Sequence, residues 1–355
     1  MNINNKSFTM AEILISLTII GILAAIILPT LNIKLNEKAL KTQRKALYAR
    51  LSQVIGMMDG LSDYGDYVVQ VEENGEVTTE GVDNAAESFI TEGLGKNLKF
   101  NQVCAAKYGA SDDEIRAELK KCGISEQYTN ALNTKSAFPL KFTEAMDNVT
   151  NAPATNVAAF STVNGESVAV FYNPTCTDRI VLIRNSGANY YDNARNNLCA
   201  VFVFDLNGLK GTNKMNSDMG IFTLTNIWKK ELNYIAPLLP RDIWTSGTYS
   251  QMSGKCAAKN PSLKLPSLSE LYGMIATIKL YFGERSTTTT SVINNVKSSW
   301  VFSSTPLSVP NIFGIESTQY HWSMTSTGSI SSYRNFGAAA DTDGYPIWCN
   351  RDILK

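Results

Sequence analysis

KSFTMAEILISLTIIGILAAIILPTL, residues 6–31, decides how the rest of the chain is read. It is an apolar run with one acidic residue, Glu12, near its start, and Glu12 is the only formal charge between Lys6 and Lys34. A charge inside a hydrocarbon-length helix is expensive, which makes such a residue a functional candidate. The uninterrupted apolar part is roughly 16–24 residues, long enough to span a bilayer. The run continues into LNIKLNEKALKTQRKAL, which lacks the small-residue cleavage site of a secretory signal peptide. A stripe of Ile33, Leu40, Leu47, Leu51, Val54 and Met58 extends at helical spacing, so one helix is expected from about Phe8 to Met58. Such a helix is roughly 75 Å long, far more than a bilayer is thick. Pro29 removes a backbone donor and is expected to bend the helix or melt it locally.

The chain has 355 residues, of which 32 are basic and 32 acidic, and this balance argues against bulk nucleic-acid binding. The balance hides two blocks. Lys34, Lys38, Lys41, Arg44, Lys45 and Arg50 face a single acid, Glu37, whereas residues 51–95 hold no Lys or Arg and many acids, from Asp59 to Glu92. A solvated basic helix face followed by an acidic loop region accounts for them; a second reading pairs the blocks between neighbouring copies.

Six cysteines are present, with no CxxC, and a single histidine cannot complete the usual Cys/His zinc patterns. An even count behind an export segment favours disulfides. Sequence alone does not fix connectivity; the expected pairs, one per region, are Cys104–Cys122, Cys176–Cys199 and Cys256–Cys349.

The first residues resemble the type IV pilin and type II secretion pseudopilin family. The short polar leader MNINNKS precedes Phe8-Thr9-Met10-Ala11-Glu12, and Gly21-Ile22-Leu23-Ala24-Ala25-Ile26 and Pro29 also match the family pattern. Ser7 stands where the family usually has Gly; both are small. The resemblance implies that a prepilin peptidase cuts after Ser7 and methylates the new Phe8 amine. It implies that Glu12 then pairs with the Phe8 amine of a neighbouring subunit. The expected location is the inner membrane, single-pass with the head in the periplasm, and then a filament or the cell surface. Other pilin or pseudopilin subunits and the inner-membrane assembly platform are the implied partners. Gly21, Ala24 and Ala25 would allow close helix approach.

Downstream, residues 85–99 and 111–122 read as helices; Ser111 and Glu114 form a capping-box pattern. A short strand is expected at Tyr67–Val71. From residue 156 the period changes: VAAFSTVNGESVAVFYN reads as a hairpin around Asn164-Gly165, with strands at 180–184, 199–206 and 220–224. The fold class expected is α+β, a pilin-like long helix packed on an antiparallel sheet.

The loop DLNGLKGTNKMNSDMGIF (205–222) resembles a D-x-N-G-x-K-G-x-N…D-x-F loop of large pilin-like proteins. Asp205, Asn207, Asn213 and Asp218 could offer oxygens to Ca²⁺, the one cofactor considered, although the spacing is not that of an EF-hand. A Gly/Asn-rich structural turn held by Asx hydrogen bonds is the favoured reading.

Pro237 and Pro240 mark a boundary near 240, giving a leader (1–7), an assembly helix (8–58), a head (59–240) and a C-terminal domain (241–355). In the last, Ser267 and Glu270 form a second capping box, with Leu271, Ile275 and Ile278 as the apolar face. Leu265-Pro266-Ser267 with Glu270-Leu271, Trp300 to Ser304, Tyr320 to Ser323 and Cys349 to Arg351 resemble the C-type-lectin-like fold of bacterial surface proteins and formylglycine-generating-enzyme relatives. That fold licenses "binding module" only weakly. Trp300, Trp322, Tyr333, Tyr345 and Trp348 could stack on a sugar, although core packing is the favoured explanation.

No enzyme is expected. His321 lies among apparent core aromatics, and no Ser/His/Asp or Cys/His set is supported by a motif. The expected function is a structural subunit, minor rather than major, of a pilus or secretion pseudopilus. The alternative is a tip adhesin whose C-terminal domain binds a glycan or a surface protein.

Overall fold

The computed structural model describes the backbone of residues 10–58, 84–107, 110–138, 157–173, 198–226, 230–237, 249–283, 301–307, 320–324, 330–334 and 348–354; side chains at 12, 21, 23–35, 249–253, 275, 279 and 301–347 lie outside the description. The expected strands at 67–71 and 180–184 therefore fall outside it. The chain divides into two units, Met1–Ala46 and Leu47–Lys355.

Helix α1 (Met10–Met58) begins in the first unit and ends in the second. It is helical on both sides of Pro29, so the expected local melting is absent: one missing N–H removes one bond of the ladder without ending the helix. Within the first unit, Thr18 Oγ1 donates to the Leu14 carbonyl at 2.7 Å, so this hydroxyl is satisfied inside the apolar stretch.

The second unit is α+β. The last turns of α1 bury Leu47, Leu51, Val54, Ile55 and Met58. After them come α2 (Ala85–Ser88), β1 (Phe100–Ala105), α3 (Asp112–Lys121), the hairpin β2 (Gln127–Thr129) and β3 (Lys135–Ala137), then β4 (Val157–Thr162), β5 (Ser167–Tyr172), β6 (Leu198–Asp205), β7 (Met219–Asn226) and β8 (Lys230–Ile235). The C-terminal third adds α4 (Tyr249–Lys259), β9 (Leu263–Lys264), α5 (Leu268–Ala276), α6 (Ile278–Phe282), β10 (Val301–Leu307), β11 (Tyr320–Met324), β12 (Ile330–Arg334) and β13 (Asn350–Arg351).

The main sheet is antiparallel throughout, in the order β1-β4-β5-β6-β7-β8. Every residue of β5, β6 and β7 is buried. Both faces are covered, and alternate residues separate two cores. On one face Tyr48 meets Phe222 at a tilt at 5.5 Å, Phe204 lies on Phe222 at 4.5 Å, and Phe89 lies on Tyr172 at 4.7 Å. On the other, Ala159, Phe171, Val201, Val203, Ile221 and Ile235 join one cluster with α3, α5, α6 and Trp348. This burial erased the polar/apolar alternation a one-faced sheet would show.

Gly220 is required by the first of these cores. A Cβ there would run into the Phe204 ring, itself fully buried against Phe222. Gly220→Ala is expected to cost about 1–3 kcal/mol through overpacking, read as a fall in the denaturant midpoint.

Local signals explain the helix starts. Ser111 Oγ accepts the Glu114 N–H and Glu114 Oε2 accepts the Ser111 N–H at 2.8 Å, closing the box that begins α3. Ser267 and Glu270 do the same for α5, at 2.9 and 3.1 Å. The helix expected over 85–99 is broken into α2, a π turn (Phe89–Gly93) and a 3₁₀ turn (Leu94–Lys96). Its start is fixed by buried Asn84, whose Oδ1 caps Ala86 and Glu87 while Nδ2 donates to Ala106 and Val157 carbonyls. The β4–β5 turn closes with the Gly165 N–H donating to the Thr162 carbonyl at 3.0 Å, and Gly165 sits at φ +87°. Glycine thus ends the turn in the left-handed region.

Candidate functional site

Three places hold the residues singled out by the sequence. The first is the start of α1. Residues 1–9, with the cut site Ser7 and Phe8, and the side chains of Glu12 and Pro29 lie outside the description. Along the described part, Ile13, Leu14, Ile15, Leu17, Ile19, Ile20 and Ile22 are 49–61% exposed. An apolar segment open on all sides is suited to lipid or to other helices, not to water. Among the described residues no helix is long and apolar enough to cross a membrane. The expected span therefore stands on the sequence of residues 6–31, many of whose side chains are outside the description.

The second place is the β6–β7 loop, which gathers Asp205, Asn207, Asn213 and Asp218. Asp218 is buried, and the Thr212, Asn213 and Lys214 N–H groups and the Thr212 hydroxyl donate to it at 2.6–3.1 Å. The Asn207 N–H donates to Asp205 Oδ1 at 3.1 Å, an Asx turn. Turned with its amide nitrogen inward, Asn213 donates to Asp205 Oδ2 at 2.8 Å and to the Gly208 carbonyl at 3.1 Å. Asn207 Oδ1 is buried and accepts no hydrogen bond. Among the described residues no group of three or more His, Cys, Asp or Glu side chains is placed to hold a metal ion.

Burial pushes the Asp205 carboxyl up to about 7, with Asp218 adding to the rise and the Asn207 and Gly208 N–H groups opposing it. A carboxyl raised on folding stabilises fully below its unfolded value of 3.8, and that contribution is lost as pH climbs through about 7. Asp205→Asn is therefore expected to flatten the fall in stability between about pH 4 and pH 7, measured by thermal melts across that range. An unchanged slope would show that Asp205 ionises normally.

The third place is the C-terminal third. Cys256 is bonded to Cys349 across 93 residues of sequence, and Cys104 to Cys122 across 18. Cys199 is also disulfide-bonded, and Cys176 lies outside the description. β10, β11 and β12 form an antiparallel three-stranded sheet with His321 opposite Tyr333 and Pro306. The side chains of Trp300, His321, Trp322, Tyr333 and Tyr345 are outside the description, whereas Trp348 is fully buried.

Sequence reading missed several residues that hold these places together. Arg50, on α1, bonds buried Glu166 at 2.5 Å, and Glu166 also accepts the Thr162 hydroxyl. Asn350 joins β8, α5 and β13 through three hydrogen-bonded neighbours. No local pattern marks such partners, because they meet from distant parts of the chain.

Residues 2–28 match the family described as the prokaryotic N-terminal methylation motif. No curated protein and no solved structure matches the chain. The motif supports a type IV pilin-like family and a prepilin-type precursor, and it implies membrane anchoring followed by a place in a surface filament. Assembly with other pilin subunits and processing by prepilin peptidase go with it.

Proposed function

We propose that this chain is a minor subunit of a type IV pilus or type II secretion pseudopilus, assembled through α1 with Glu12 paired to the Phe8 amine of a neighbour. The observation that carries this reading is the methylation motif at residues 2–28, running directly into a helix whose first turns expose large apolar side chains. An unpaired carboxylate in lipid is costly, so an opposite charge on the neighbour favours insertion in one register. The large second unit supports a minor role, since a bulky head must fit at every position if the subunit is the major one. The lectin-like reading of residues 241–355 makes that part the presented surface, with a glycan or surface protein as its ligand.

Immuno-gold labelling of native filaments tests the role. Sparse or tip labelling is the expected result; continuous labelling would make the chain a major subunit. For the β6–β7 loop, calcium would use Asp205 and the undonated Asn207 Oδ1. A calcium-dependent rise in melting temperature supports that use, and an unchanged one removes it.

A further inference from the structure

Two short strands, β9 near the start of the C-terminal third and β13 at its end, pair antiparallel, with Lys264 directly opposite Asn350. Residues directly opposed in this way share a face, with Cβ atoms roughly 4.5–5.5 Å apart. Glu270, from the first turn of α5, reaches both. Its Oε1 accepts Lys264 Nζ at 2.8 Å and Asn350 Nδ2 at 3.3 Å. A plain helix cap needs only the other oxygen, and Oε2 already takes the Ser267 N–H at 2.9 Å.

Surroundings favour reaction at the Asn350 carboxamide. Asn350 is 0% exposed and Glu270 5%, while Lys264 reaches in along a half-exposed side chain. Asn350 Oδ1 accepts the Ala236 N–H at 2.8 Å, and Nδ2 donates to the Tyr234 carbonyl at 2.8 Å. A main-chain N–H fixed on a carbonyl oxygen stabilises the negative charge that develops there when a nucleophile adds. Holding amine, carbonyl and proton carrier together replaces a slow bimolecular encounter.

We propose that Lys264 and Asn350 form an intramolecular isopeptide bond, with Glu270 carrying the protons. Lys264 gives one proton to Glu270 Oε1, and the freed lone pair of Nζ adds to Asn350 Cγ. Charge builds on Oδ1 against the Ala236 N–H. Glu270 returns its proton to Nδ2, the Cγ–Nδ2 bond breaks, and ammonia leaves with the remaining proton as ammonium. The net change turns an ammonium and a carboxamide into a secondary amide and an ammonium ion, with no oxidant or reductant. The product is a link between β9 and β13 that reduction does not open, one residue from the Cys349 disulfide.

Mass spectrometry of the full-length purified protein, reduced and digested with trypsin, tests this. The expected result is a branched peptide joining the Lys264 and Asn350 segments, lighter than the two linear peptides by one ammonia, with no cleavage after Lys264. Lys264→Arg keeps the ion pair with Glu270 and removes the nucleophile. Glu270→Gln keeps the size of the side chain and removes the proton carrier. Both are expected to yield only linear peptides, with circular dichroism like that of the wild type for Lys264→Arg. Linear peptides from folded wild-type protein would overturn the proposal, as would Asn350 recovered as aspartate without a branch, or a branch that survives Lys264→Arg.

Discussion

Replacing Glu12 with valine is expected to leave a membrane-inserted protein that enters filaments at about a tenth of the wild-type level or less, the loss that comes from removing one buried charge pair. Between Lys6 and Lys34 nothing else carries a formal charge, so no other side chain in that stretch can substitute. Valine removes the cost of holding a carboxylate in hydrocarbon, which makes insertion easier. It also removes the only acid able to meet the Phe8 amine of a neighbour. Insertion and assembly should therefore separate: membrane fractionation reads the first and immuno-gold counts along filaments read the second. Glu12→Gln keeps the shape and should fail in the same way, because the charge is what is lost. Normal incorporation of either variant would sink the pairing mechanism while leaving the methylation motif intact.

The second large effect is expected at Cys256–Cys349. This bond closes a far longer segment than Cys104–Cys122, 93 residues against 18. The entropy it removes from the unfolded chain grows with the length enclosed, and its loss is expected to cost about 2–5 kcal/mol. Both sulfurs belong to the core shared with Trp348, α5 and the sheet residues Ile221 and Ile235, so the effect should reach the whole second unit. The measurement is the melting temperature of a Cys256→Ala, Cys349→Ala double variant, expected to fall by roughly 5–15 °C. It is best made with Lys264→Arg in both proteins, since a Lys264–Asn350 link would enclose nearly the same segment and mask the loss. A change smaller than that from removing Cys104–Cys122 would show that the chain ends are held by packing alone.

Much of the local structure was legible in the chain. The two capping boxes at Ser111 and Ser267 were readable because each uses residues three apart, and both close as hydrogen-bonded pairs. The helix through Met58 could be read from an apolar stripe that the structure buries from Leu47 onward. The hairpin at Gly165 came from a dipeptide with few conformational options. Strands β1, β2, β3, β8, β9 and β12 went unread. In β8, Lys230–Ile235 mixes charged and apolar residues at the sheet edge, and only pairing with β7 makes it a strand. The helix over 85–99 was read too long, because Asn84 and the aromatic stack at Phe89 set its geometry through partners far away in sequence.

The candidate sites divide in the same way. By itself the sequence carried the prepilin-type motif, because that motif is a property of one continuous stretch, and residues 2–28 match it without reference to any fold. Only the tertiary structure decided that Arg50 bonds Glu166 and that Asn350 joins Glu270. These contacts join residues far apart along the chain. Their closeness comes from burying both faces of one antiparallel sheet, and that cooperative packing has no local signature.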